Sequence, residues 1–202
     1  MKTFPTLAVL LHLVAGAGAQ EKISAEQMHK IAPMLLENSA RLKSVQLKIN
    51  ADAEKADGMK ANDAGLIVLP DKDLTVEKLA RAGKEIVPLG QLYLRGIAPA
   101  KDGKPADNDR MHILMIEDSG KAQRVWLCLL GAQKRDGKLE LVLYGSEKIP
   151  LLRAELRQHE TSQDKDTPIT VSVEKREDKS ADVTLGILGK YQATFVIMKQ
   201  EG

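Results

Sequence analysis

A chain of 202 residues, 43% hydrophobic and 29% charged, holds enough apolar material for one sizeable core and too much for wholesale disorder. Its formal net charge of +2 falls to about +1 if Lys2 is lost with a leader, so bulk electrostatics suggest neither nucleic acid nor an anionic membrane surface as partner. One cysteine, Cys128, excludes an internal disulfide, and 3% aromatic content is too little for a stacking platform that binds sugars or single strands.

The chain opens with the order expected of a secretory signal peptide over residues 1–19. Lys2 gives a positive start, residues 7–14 an apolar run, and Ala17-Gly18-Ala19 a small-residue cleavage site before Gln20. The run is too short to span a bilayer, and no later segment is long and apolar enough to do so. The mature protein is therefore expected to be exported, to the periplasm or beyond.

Residues 20–43 read as an N-terminal helical segment. Ser24 and Gln27 form a capping box, and Met28, Ile31, Leu35 and Leu36 share one face. Pro33 lacks an N–H and should kink or split the helix. Residues 44–202 read as a single β-rich domain. Its first strand is expected at 44–50, where Val45, Leu47 and Ile49 alternate with polar residues; 51–64, rich in alanine and charge, reads as loop or helical turn. A buried strand at 65–69 closes at Pro70, Thr75 caps a short helix with Val76 and Leu79 inward, and 91–95 is a strand with irregular flanks. Residues 99–109, with two prolines, a glycine and alternating charge, read as a long surface loop.

The organising stretch is 108–145, a three-strand meander. Its first strand sets Met111, Ile113 and Met115 against His112, Leu114 and Ile116; its second sets Val125, Leu127 and Leu129 against Trp126, Cys128 and Leu130. Strands apolar on both faces belong in a sheet covered on both sides. Asp136-Gly137 supplies a tight hairpin to the third strand, because a type I′ turn needs positive φ at both central residues. Asp-Gly-Lys recurs at Asp102, as turn chemistry rather than as a repeat. Strand patterns follow at 151–158, 169–174, 181–188 and 191–198, the last two read as two strands or as one long strand bulged at Gly189. Eight to ten strands, a kinked N-terminal helix and one short helix fit a β-sandwich or an irregular barrel.

Chemistry-bearing motifs are sparse. His29, His112 and His159 have no metal-ligand spacing, and the chain contains no HExxH, Walker A, GxSxG or post-leader GxGxxG pattern, so no cofactor is implied. Asp71-Lys72-Asp73 resembles the start of a Ca²⁺ loop but has Val76 where glycine is needed. Asp107, Asn108 and Asp109 put three oxygen-bearing side chains in one loop and are the metal-ligand candidates, opposed by Lys101, Lys104 and Arg110 nearby. Cys128, between two leucines, reads as an inert core thiol. The expectation is an exported, non-enzymatic β-sandwich module acting through contacts with a protein partner. The alternatives are a carrier holding a small apolar ligand between the sheets, and a hydrolase with a dispersed site near His112.

Overall fold

The computed structural model describes residues 20–42, 45–118, 121–159 and 166–200; residues 1–19, where a signal peptide is expected, lie outside them. The larger sheet contains β1 (Glu21–Lys22), β2 (Asp57–Ala61), β3 (Ala64–Pro70), β4 (Val87–Arg95), β7 (His112–Asp118), β8 (Lys121–Arg135), β9 (Lys138–Tyr144) and β10 (Leu152–Glu155). The smaller contains β5 (Ile97–Lys101), β6 (Lys104–Pro105), β11 (Arg157–Gln158), β12 (Ile169–Lys175), β13 (Ser180–Ile187) and β14 (Tyr191–Lys199). Every named strand pair is antiparallel. The larger sheet runs β1-β2-β3-β4-β8-β9-β10, with β7 also on β8; the smaller runs β12-β13-β14-β5-β6, with β11 also on β14. This is a mainly β architecture consistent with a β-sandwich, and it is not a closed barrel.

Two apolar layers explain the two-faced strands. Trp126, Cys128 and Leu130 of β8 enter the core between the sheets, with Leu92 and Leu94 of β4 and Val183, Leu185 and Phe195 of the smaller sheet. Val125, Leu127 and Leu129 enter a second layer with Met28, Ala32 and Leu35 of helix α1 (Ala25–Ser39). The α1 face is pinned by polar groups as well. Ser39 Oγ lies 3.4 Å from Gln91 Oε1, and Tyr93 Oη lies 3.4 Å from the Leu35 carbonyl oxygen. Ser24 caps the helix, accepting from Gln27 N, and of the expected kink or split at Pro33 the split does not occur: α1 is one helix through it. Pro33 lies on the exposed face, where water can take the carbonyl partner that its missing N–H would have used.

Several expectations are corrected. β7 is covered on one face only: Leu114 and Ile116 are buried in the α1 layer, while Ile113 and Met115 are 46% and 55% exposed. The smaller sheet does not shelter that face. Residues 45–50 form no strand; this segment lies over the outer layer as irregular chain, with Leu47 buried, Val45 exposed, and the Asn50 N–H held by Asp71 Oδ2 at 2.9 Å. Asp57–Ala61, read as loop, is strand β2, because pairing with β3 overrides a weak local β propensity. Residues 99–109 contain a hairpin, β5–β6, turned by Asp102 (φ 53°) and Gly103 (φ 74°), the same solution as Asp136 (φ 49°) and Gly137 (φ 81°). The strand count exceeds eight to ten because short pairings such as β1, β6 and β11 leave too few residues for an alternation to register.

The sheets are joined by chain that changes layer. Gly96, at φ +67°, turns β4 of one sheet into β5 of the other, and a Cβ there would stand 3.2 Å from the Asp63 carbonyl. Residues 152–158 do the same at Leu156: its N–H still bonds Leu139 of β9 at 2.9 Å, and the next residue, Arg157, pairs Gln192 of β14. Helix α2 (Val76–Ala80), capped by Thr75, seats Leu79 in the inter-sheet core.

Candidate functional site

The acidic loop is tied to the chain that follows β9. Asn108–Arg110 make a 3-10 turn; Ser146 Oγ donates to the Asp109 carbonyl at 2.9 Å, and Arg110 Nε reaches Glu147 Oε2 at 3.1 Å. Asn108 Oδ1 is enclosed without a donor, but no group of three His, Cys, Asp or Glu side chains suited to an ion occurs among the described residues. The other acidic candidate, Asp71, is occupied structurally: its carboxylate accepts the N–H groups of Asn50 at 2.9 Å and Asp73 at 3.0 Å, with Lys78 Nζ 3.4 Å away.

His112 begins β7, opposite Leu127, and is 8% exposed. Its ring hydrogen-bonds the Gly145 carbonyl, which leaves Nε2 buried without a partner. Burial pushes its pKa below the ordinary histidine value, and the Gly145 contact only partly opposes this. No serine or carboxylate side chain is hydrogen-bonded to it among the described residues. With the folded-state pKa depressed, the unfolded chain takes the proton more readily. The stabilisation is therefore complete above about pH 6.5 and is lost as pH falls towards the folded value. We expect unfolding free energy to drop between about pH 7.5 and about pH 5.5, and His112→Gln to flatten that drop. Equal slopes in urea titrations of the two proteins would remove His112 from the account.

Cys128 and Trp126 face the inter-sheet core together, at 0% and 5% exposure. Burial raises the thiol to about 12, so a thiolate is scarce at neutral pH. Native labelling with a bulky maleimide should therefore proceed only through unfolding, and Cys128→Ser should destabilise the fold by roughly 1–3 kcal/mol. Fast labelling without denaturant would reverse this reading.

Among the described residues, three surfaces stand out as open to a ligand. An open cleft of ≈ 950 Å³ lies at the corner strand and is lined by Lys101, Asp102, Arg153, Glu155, Arg157 and His159 among others. Its arginines are already engaged, Arg153 with Glu140 at 2.9 Å and Arg157 with Glu155 at 2.9 Å. A smaller cleft of ≈ 260 Å³ lies between the tips of the β2–β3 and β12–β13 hairpins. The third surface is β7 itself. Among the described residues only β8 pairs with it, so its outer edge presents unpaired backbone groups beside Ile113 and Met115. Sequence reasoning could not find this edge, because a two-faced apolar strand reads as one that is covered twice.

The protein thus defines itself by class as a two-sheet β-sandwich faced by one helix, and no helix among the described residues is long and apolar enough to cross a membrane. No protein-family model, no curated protein and no solved structure matches the chain.

Proposed function

We propose that the chain is an exported, non-enzymatic module that acts by receiving an extended segment of a partner protein along the β7 edge. The observation that carries this is the pairing of an open strand edge with two large exposed apolar side chains, Ile113 and Met115, at alternate positions. Natural sheets guard such edges with lysine, proline or bulges, and β7 (HILMIED) has none of these. Strand addition uses backbone hydrogen bonds for affinity and alternate side chains for specificity. Glu117 is exposed near the end of the strand, so the fitting partner segment alternates apolar residues and ends in a basic one.

Peptides selected from a random library against the full chain test this. The expected result is enrichment of alternating apolar residues with a basic end, and loss of binding in Ile113→Lys with Met115→Lys while the melting temperature holds. Unchanged binding by that variant would defeat the proposal, as would self-association through β7, detected by sedimentation and lost in the same variant. The export half rests on Lys2, the apolar run 7–14 and Ala17-Gly18-Ala19. Intact mass of the secreted protein should begin at Gln20 or its cyclised form; Met1 retained on soluble protein would oppose it.

A further inference from the structure

We infer that the cleft between the β2–β3 and β12–β13 hairpin tips binds a small anionic amphiphile, a single short alkyl chain carrying a carboxylate or sulfate. Its floor is the margin of the inter-sheet core. Leu66, Ile97 and Ile197 belong to that core, and Met59 and Val173 pack on it while only partly buried. Its lining also includes four lysines from separate parts of the chain, Lys60, Lys175, Lys179 and Lys199, and one carboxylate, Asp63. Lys60 pairs with Glu21 at 3.1 Å, and Lys199 lies 4.0 Å from Asp63 with both side chains about three-quarters exposed. Neither Lys175 nor Lys179 has an ion-pair partner among the described residues. Apolar contact below and uncompensated ammonium groups above suit a ligand with one apolar and one anionic end.

Size narrows the class. At ≈ 260 Å³ the cleft falls just under the ~300 Å³ lower bound of drug-sized pockets, which favours a short single tail over a fused-ring or two-chain ligand. The ≈ 950 Å³ cleft offers no comparable case, since its arginines already carry carboxylate partners. The two lysines with free charge sit on one hairpin: Lys175 ends β12, and Lys179 occupies the following turn at φ +64°. That hairpin is a different part of the molecule from β7, so this site stands or falls separately from the protein-contact reading.

Calorimetry on the full chain tests the inference with decanoate, decyl sulfate and decanol as probes, all below their self-association concentrations. Decanoate and decyl sulfate should bind saturably at one site, more weakly as salt rises, and decanol should bind more weakly than either. Lys175→Glu with Lys179→Glu should cost about tenfold or more in affinity, whereas Arg157→Glu in the other cleft should cost nothing. Both substitutions fall on exposed side chains, and an unchanged melting temperature would establish that the fold survives. The inference is overturned if decanoate does not saturate, if decanol binds as tightly as decanoate, or if the Arg157 variant loses as much as the lysine pair.

Discussion

Gly145→Ala is expected to lower unfolding free energy by roughly 3 kcal/mol or more, a large effect for one methyl group. A Cβ on Gly145 would stand 1.8 Å from the Arg110 carbonyl oxygen and 3.2 Å from Leu151 Cδ1. Neither side can yield cheaply. The Arg110 carbonyl accepts the Ser146 N–H at 2.8 Å, and Ser146 Oγ holds the Asp109 carbonyl at 2.9 Å, so the two chain segments are tied where they cross. Here the end of β9 meets the start of β7, and separating them would also disturb the His112 ring bonded to Gly145. Urea unfolding of the alanine variant checks this, and a loss under about 1 kcal/mol would mean that the crossing relaxes freely.

Asp57→Ala should cost roughly 2–4 kcal/mol, for a different reason. Asp57 lies on β2 in the larger sheet, yet its Oδ2 accepts the N–H of Val171 on β12 in the smaller one at 2.9 Å. The same oxygen takes Lys22 Nζ at 2.7 Å, and Oδ1 takes the Gly58 N–H at 2.9 Å. The carboxylate is 7% exposed, so alanine takes this acceptor from the buried Val171 N–H. Lys22 is 55% exposed and can return to water, so Lys22→Ala alone should cost well under about 1 kcal/mol. A double-mutant cycle separates the two contributions. If Lys22→Ala cost as much as Asp57→Ala, the ion pair rather than the inter-sheet hydrogen bond would be the link.

What the sequence determined by itself is whatever depends on a few neighbouring residues. The Ser24 and Thr75 N-caps, the Asp-Gly turns at Asp102 and Asp136, and the alternation in β8 and β12 all form as their local chemistry requires. These signals are short-range: a cap reaches three residues along, and a strand's faces alternate every residue. The mainly β class follows from them, because apolar alternation punctuated by turns leaves few other ways to bury such strands.

The tertiary structure alone decided which partners those elements took. Residues 57–61 became a strand because β3 lay beside them and because Gly58 admits the Leu66 carbonyl, which a Cβ would meet at 2.6 Å. The alternating residues 45–50 did not, although their pattern is the cleaner of the two. β7 and β8 carry similar two-faced apolar patterns, yet β8 is central and β7 exposes Ile113 and Met115, since the smaller sheet does not shelter that face. Lys60, Lys175, Lys179 and Lys199 gather at one cleft only once both sheets are in place, so a near-neutral overall charge concealed a basic site. Asp57 and Val171 are 114 residues apart. No local rule reaches that far, because closing such a loop is rewarded only when the whole core that surrounds it is buried.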